Sequence, residues 1–271
     1  FVKAGGRVFC IEAYPEQSLG WFNHEKNDLE VQKWIAELKK YPKQFIHLAK
    51  PASNFKDWYK TIQNDYNIKP YLKIAAPNTF ITQVRYQTDN TEVFVINNSS
   101  SHLSIDLDAT FLPEITEKRQ AWIWDAASGD RFKLNLKDRN FKVKLCPAES
   151  KIIVFNQDKD GENWQPIPEI SNHATSLKSA WQIELKHMDG TSKSQEMLKL
   201  TDLKDVPQLM HFAGTVSYKY TLEVSNPADL SYLDLGKVSG ISTLIVNGKA
   251  LGTTWYGRRA YPIKNLMKAG H

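Results

Sequence analysis

Cysteine is scarce in this chain. Cys10 and Cys146 are the only two, they lie far apart, and each is expected as a buried thiol that says little about compartment. Apolar runs long enough to cross a bilayer are missing, so no membrane insertion is expected. The residues after Phe1 do not have the pattern of a signal peptide. Like charges never gather in a block of about five or six, and the net charge of +5 comes from 35 Lys and Arg spread against 30 Asp and Glu. That distribution gives nucleic-acid binding no support. No nucleophile elbow, phosphate loop or zinc spacing occurs. His24, His47, His102, His173, His187, His211 and His271 are scattered without ligand spacing, so no metal site is expected.

What is present is ample material for hydrophobic cores, with 41% hydrophobic and 24% charged residues over 271 positions. The chain divides into three segments and a connection. Residues 1–76 read as the C-terminal part of an α/β domain. "GGRVFCIEA" is a strand after a Gly-Gly turn, and "NDLEVQKWIAELKK" is a helix capped by Asn27 or Asp28. Its stripe is Val31, Trp34, Ile35 and Leu38. "KQFIHLA" is a second strand, and Ser53 opens a second helix with Phe55, Trp58, Tyr59 and Ile62 on one side. The strand–helix–strand–helix order argues for a parallel sheet, but two strands cannot make one stable, so a larger domain is implied.

Residues 77–156 contain seven strand candidates at short, regular intervals and no convincing helix, which points to an antiparallel β-sandwich. Leu103, Ile105 and Leu107 alternate on one strand and Phe141, Val143 and Leu145 on another. Trp122 and Trp124 share one face and are expected in a core or a domain interface. Residues 157–176, "QDKDGENWQPIPEISNHATS", form a polar linker that contains Pro166 and Pro168. Its "DKDGEN" stretch has the flavour of a calcium loop, but the glycine is misplaced and the closing glutamate is missing, so a surface turn is expected.

Residues 177–271 read as a further set of strands. Asn247-Gly248 between two apolar runs is the strongest hairpin signal in the chain, since a type I′ turn needs positive φ at both positions. Ile241 to Val246 is apolar on both faces apart from Ser242 and Thr243, as for a strand inside a sandwich. The last segment carries Phe212, Gly214 and Tyr218, then Leu233, Asp234, Leu235, Gly236 and Val238, then Val246, Asn247, Gly248, Leu251, Gly252 and Trp255. This series resembles the sugar-binding-type jelly roll of glycoside hydrolase family 2. The same module closes the family 106 enzymes, the α-L-rhamnosidase-like proteins common in gut Bacteroidetes, and the chain is most similar to these. "AWIWDAASGD" is similar to the hairpin that precedes that jelly roll, and the opening segment resembles the end of the α/β domain that follows their catalytic barrel.

The resemblance implies a multidomain, mainly β fold: the end of an α/β domain, an antiparallel β-sandwich and an incomplete galactose-binding-like jelly roll, truncated at its C-terminus. It implies an accessory C-terminal region of a glycoside hydrolase acting on complex polysaccharide. The catalytic barrel would lie upstream as a partner in the same polypeptide, and export to the periplasm or cell surface is implied too. No cofactor is expected. No catalytic residue is expected either. Glu12, Glu16, His24 and Glu25 follow a strand end, where catalytic groups often sit, but hydrolysis of a glycoside normally needs two facing carboxylates, and these are read as solvated loop groups. Carbohydrate is the expected ligand. Trp255, Tyr256, Arg258 and Arg259 supply an aromatic platform and planar donor forks just after the hairpin. Three readings of that segment stay open: sugar contact, packing on a catalytic domain, and core structure. A stand-alone carbohydrate-binding protein and a scaffold without a ligand site are the alternatives for the whole chain.

Overall fold

The computed structural model describes residues 1–170, 174–177 and 180–268. It is mainly β, with several antiparallel sheets of β-sandwich or jelly-roll type. The chain forms two compact units, Phe1–Pro70 and Tyr71–His271.

In the first unit, β1 (Val8–Ile11) pairs in parallel with β2 (Phe45–Leu48), as the sequence pattern predicts. Between them runs α1 (His24–Leu38), which starts earlier than the expected cap at Asn27 or Asp28. The Asp28 carboxylate is used elsewhere: it accepts from the backbone N–H (2.7 Å) and the hydroxyl (2.9 Å) of Ser18. Helix α2 (Phe55–Asp65) is capped by the Asn54 side chain, which accepts from the Asp57 N–H, one residue beyond the Ser53 expected. Only Val2, Phe45, Ile46 and Ile62 are buried apolar residues here, while Leu19, Trp21, Phe22 and Trp34 stand exposed. The stripe predicted on α1 therefore has no fully buried member. A two-stranded sheet with so small a core leaves its apolar faces open.

The second unit begins with the sandwich. One sheet contains β4 (Ile81–Gln87), β5 (Glu92–Asn98), β7 (Gln120–Trp124), β8 (Arg131–Leu134) and β10 (Ser150–Asn156), in the order β4-β5-β10-β7-β8. The facing sheet has β3 (Leu72–Ile74), β6 (Ile105–Phe111) and β9 (Asn140–Leu145), in the order β3-β6-β9. Leu72–Ile74, which the sequence pattern assigns to the first segment, is thus a strand of the sandwich, and Leu72 is fully buried in its core. All seven expected strands form. An additional single turn, α3 (Pro113–Thr116), starts at a proline and buries Ile115.

Phe94, Phe111 and Phe155 meet edge-to-face across the interior, with centroids 5.1, 6.0 and 4.7 Å apart. Such pairs add about 0.5–1.5 kcal/mol each beyond area burial. On β5 the burial alternates, but β10 buries Ile153, Val154 and Phe155 in succession, so both faces of its sheet are covered. The outer cover is the linker. Asn163 bridges Lys133 in parallel, the Lys133 N–H donates to the Glu162 carbonyl (2.7 Å) and the Trp164 N–H to that of Lys133 (2.8 Å). Gly161 then lies on the ring of Trp122, which is wholly buried beside Val154. Trp124 on the same strand is exposed. The cover needs glycine for space, not for φ: a Cβ at position 161 would stand 2.6 Å from the Trp122 ring. At the β4–β5 edge, buried Glu92 accepts from Arg85 Nε (2.8 Å) and Nη2 (2.9 Å), and the guanidinium lies 3.7 Å from the Tyr71 ring centre.

The remaining strands form three small antiparallel sheets: β11 (Trp181–His187) between β12 (Ser192–Met197) and β13 (Gly214–Lys219); β14 (Tyr232–Asp234) with β17 (Ala260–Pro262); and β15 (Ser242–Val246) with β16 (Lys249–Thr254). Ile183, Leu185 and Leu209 anchor a second core, against which Phe212 packs. Here β15 departs from expectation: Ile245 is exposed, so the strand is covered on one face and open on the other.

Two expected outcomes follow. Gly161→Ala forces the linker off Trp122 and lowers the urea-unfolding stability of the second unit by about 1–3 kcal/mol, the usual range for overpacking. In the first unit, the Ser18 bonds, with His24 nearby, hold the Asp28 carboxyl below its ordinary pKa. A carboxyl depressed in the folded state stabilises above its unfolded pKa, and that contribution is lost as pH falls through the folded value. The protection of the Ser18 amide, relative to its intrinsic exchange rate, should fall as pH drops below the ordinary Asp range, and an NMR titration of Asp28 should give a midpoint under the ordinary Asp value.

Candidate functional site

The segment from Asn247 to Arg259 is built by backbone geometry before any side chain acts. Asn247 (φ 48°) and Gly248 (φ 79°) occupy the two positive-φ positions of the predicted type I′ turn between β15 and β16. The register then slips, with Leu251 and Gly252 set against Leu244, and Gly252 takes φ 118° in that bulge. Turn and bulge together explain the spacing of Asn247, Gly248, Leu251 and Gly252. The Asn247 side chain donates to the Leu266 carbonyl at 2.8 Å.

Past the hairpin, the four candidate side chains part ways. Trp255 is 69% exposed, with its ring 4.9 Å from that of half-buried Tyr256 in an edge-to-face contact. Gly257 turns the chain at φ 68° and its N–H donates to the Pro147 carbonyl (3.0 Å) of the sandwich. Arg258 reaches two places: Nε donates to Asp234 Oδ2 (2.8 Å) and Nη1 to the Pro168 carbonyl (2.5 Å). Arg259 is buried, and its Nη1 and Nη2 donate to the carbonyls of Val238 (2.5 Å) and Gly240 (2.6 Å).

Trp255 is therefore at the surface with Tyr256 half-buried beside it, whereas both guanidinium groups donate within the chain, the buried Arg259 Nε lacking a partner among the described residues. Asp234, seen in the sequence only as part of a motif, holds this corner: its Oδ1 accepts from the Gly236 N–H (2.8 Å) and its Oδ2 from Arg258. Gly236 sits at φ 67°, which suits glycine. Gly214 has a different cause: a Cβ there would lie 2.1 Å from the Lys186 carbonyl oxygen, so the β11–β13 pairing at His187 requires glycine. Phe212 lies edge-to-face on His187 at 4.5 Å, and Tyr218 pairs with Ile183.

The other sequence candidates lie apart from this corner. Glu12 is an exposed carboxylate 3.2 Å from Lys50 Nζ, in a left-handed backbone conformation (φ 70°). His47 is exposed, and its Nε2 lies 3.0 Å from the Glu12 carbonyl oxygen. His24 stacks on Trp21 at 5.1 Å. In the "DKDGEN" turn, Asp158 accepts from Arg131 (2.6 Å) and Asn156 (3.1 Å). Among the described residues no three His, Cys, Asp or Glu gather to hold a metal ion. Both cysteines are half-buried free thiols, and burial pushes the Cys146 thiol up in pKa. His173 and His271 lie outside the described residues.

Removing the Arg259 side chain leaves the Val238 and Gly240 carbonyls without their donor and opens a void. We expect Arg259→Ala to cost about 3 kcal/mol in urea unfolding, and Arg258→Ala, whose pair is partly wetted, about 1 kcal/mol.

No family model matches the chain, and no curated protein matches it. Among solved structures, a rhamnosidase from Novosphingobium sp. PP1Y is similar over 91% of this chain, with 18% identity and a TM-score of 0.60; the match spans 24% of that protein. A GH30 endoxylanase from Clostridium papyrosolvens C71 overlaps 57% of this chain and 42% of its own at 18% identity, but its TM-score of 0.23 carries no argument. The chain thus spans about a quarter of the rhamnosidase's length and shares the fold of that part.

Proposed function

We propose that this chain is an accessory region of a glycoside hydrolase of the α-L-rhamnosidase type, acting on complex polysaccharide. The observation that carries the reading is the fold likeness to one stretch of a rhamnosidase across 91% of the chain. The family 2-type motif from Phe212 to Trp255 adds to it, because its glycines and Asp234 meet definite backbone needs. In this reading the pieces are the end of an α/β domain (1–76 by its sequence pattern, with the strand Leu72–Ile74 passing to the sandwich), a sandwich (77–156), a linker (157–176) and a galactose-binding-like jelly roll (177–271). Hydrolysis belongs to a catalytic domain elsewhere in the same polypeptide, and the exposed Leu19, Trp21, Phe22 and Trp34 offer apolar surface for the rest of the α/β domain. The working compartment is the periplasm or the cell surface.

Within the segment 255–259, sugar contact falls to Trp255 with Tyr256 beside it, since an exposed indole face suits the C–H face of a pyranose. Arg258 and Arg259 position that platform. A scaffold without a ligand site is the second reading, and it is favoured by these same two arginines spending their donors on the chain itself.

A glycan array and calorimetric titration of the chain beside Trp255→Ala separates the two. Trp255 is exposed, so the variant should keep its circular dichroism spectrum and unfolding midpoint. Binding of neutral saccharides that drops at least tenfold in the folded variant is the expected result. A well-folded parent that binds no saccharide leaves the scaffold reading.

A further inference from the structure

One end of the sandwich carries a concavity that the candidate segment does not use. It is an open cleft of about 300 Å³, lined by α3, the start of β7 and the β8–β9 connection. Its floor is apolar, made by Ala121, Leu134, Leu136 and Phe155. Its rim is polar: Thr116, Arg119, Gln120, Asn135 and Arg139. A second concavity of about 270 Å³ adjoins it through Arg119, so an elongated ligand has room to continue.

The two arginines set the chemistry. The chain has seven. Arg85, Arg131 and Arg258 are paired with carboxylates, and Arg7 and Arg259 donate to backbone carbonyls. Arg119 commits Nη1 to the carbonyls of Glu114 (2.9 Å) and Ile115 (3.3 Å), which holds its guanidinium at the rim. Among the described residues, neither Arg119 nor Arg139 has a carboxylate at ion-pair distance, and the Arg139 side chain has no hydrogen-bond partner in the chain. Arg139 is also in an unusual place. With Asp138 it occupies the middle of a tight turn, closed by Asn140 N–H donating to the Lys137 carbonyl (2.9 Å), and both residues have positive φ (51° and 60°). Such turns favour Asn-Gly. The turn therefore does not account for an arginine at this position, while the cavity does.

We propose that this end of the sandwich binds a saccharide bearing a carboxylate, a uronate-type sugar, with Arg139 and Arg119 gripping the carboxylate; Gln120, Asn135 and Thr116 donate to partners within the chain and offer their oxygens as acceptors to its hydroxyls. The Arg139 guanidinium and the free donors of Arg119, neither facing a carboxylate, match a planar anion. The inference rests on the carbohydrate reading above but concerns a different part of the unit from Trp255.

The test is a calorimetric titration of the chain with a glucuronate trisaccharide, its methyl ester and sodium sulfate. The variants are Arg139→Gly, Arg119→Met and Trp255→Ala. Arg139→Gly is the informative one. It keeps the backbone carbonyl that Phe111 donates to and relieves the positive-φ position, so its Tm should be equal to the parent's or higher. The expected result is saturable binding of the acid form, at least tenfold weaker binding of the ester, and none of sulfate. Arg139→Gly and Arg119→Met should each lose at least tenfold, and Trp255→Ala should bind as the parent does. The proposal is overturned if the parent ignores the acid, if acid and ester bind alike, if sulfate competes equally, or if Arg139→Gly binds unchanged. Acid binding lost in Trp255→Ala and kept in Arg139→Gly sinks this inference alone. Acid binding at Arg139, beside an array showing no dependence on Trp255, sinks only the role given to the aromatic pair.

Discussion

The second unit is organised by burial on both faces of a single strand. Ile153, Val154 and Phe155 follow one another on β10, and consecutive strand residues point to opposite sides. Each side of the five-stranded sheet must therefore be sealed. The three-stranded sheet and the Phe94–Phe111–Phe155 contacts seal one side. The other side is closed in part by the linker, which bridges β8 at Lys133 and sets Gly161 on Trp122. Apolar area removed from water in this way is worth roughly 25 cal/mol per Å². That gain is what keeps a polar, proline-containing segment in a fixed course.

The position of the candidate segment follows from this. A fixed linker presents the Pro168 carbonyl to Arg258, and the turn between β9 and β10 presents the Pro147 carbonyl to Gly257. The segment 255–259 is thereby tied to the sandwich as well as to its own hairpin. Trp255 faces solvent two residues before Gly257, whose N–H is held by the Pro147 carbonyl.

Much of the architecture was legible in the sequence, and the exceptions have physical causes. The seven sandwich strands and the Asn247-Gly248 turn announced themselves by alternation and by positive-φ chemistry. Strand β12, "SKSQEM", did not, because it is an edge strand with no buried residue to create a pattern. β3 was absorbed into the preceding segment because three residues carry no period. Asp28 looked like a helix cap, but a capping side chain and one that pins a distant loop residue are the same residue type. The candidate segment shows the limit most clearly. Whether Trp255 is exposed or packed is not set by its sequence context, and the folded hairpin leaves it exposed. Arg259 was not readable either: its partners are main-chain carbonyls at positions 238 and 240, and carbonyls have no sequence signature. Arg139 has no signal in the sequence, since only the folded sandwich sets it beside Arg119 at one cleft.

The latch of Gly161 on Trp122 also bears on how such a protein can be recombined. Segments drawn from sequence would be cut in the linker, where composition changes. A cut there would separate Trp122 from the glycine that covers it, and Arg258 from the Pro168 carbonyl it holds. The piece that can be transplanted into another polypeptide, or inherited through gene fusion, therefore runs from the strand at Leu72 through the last described residues, with the connection carried along as part of the cargo.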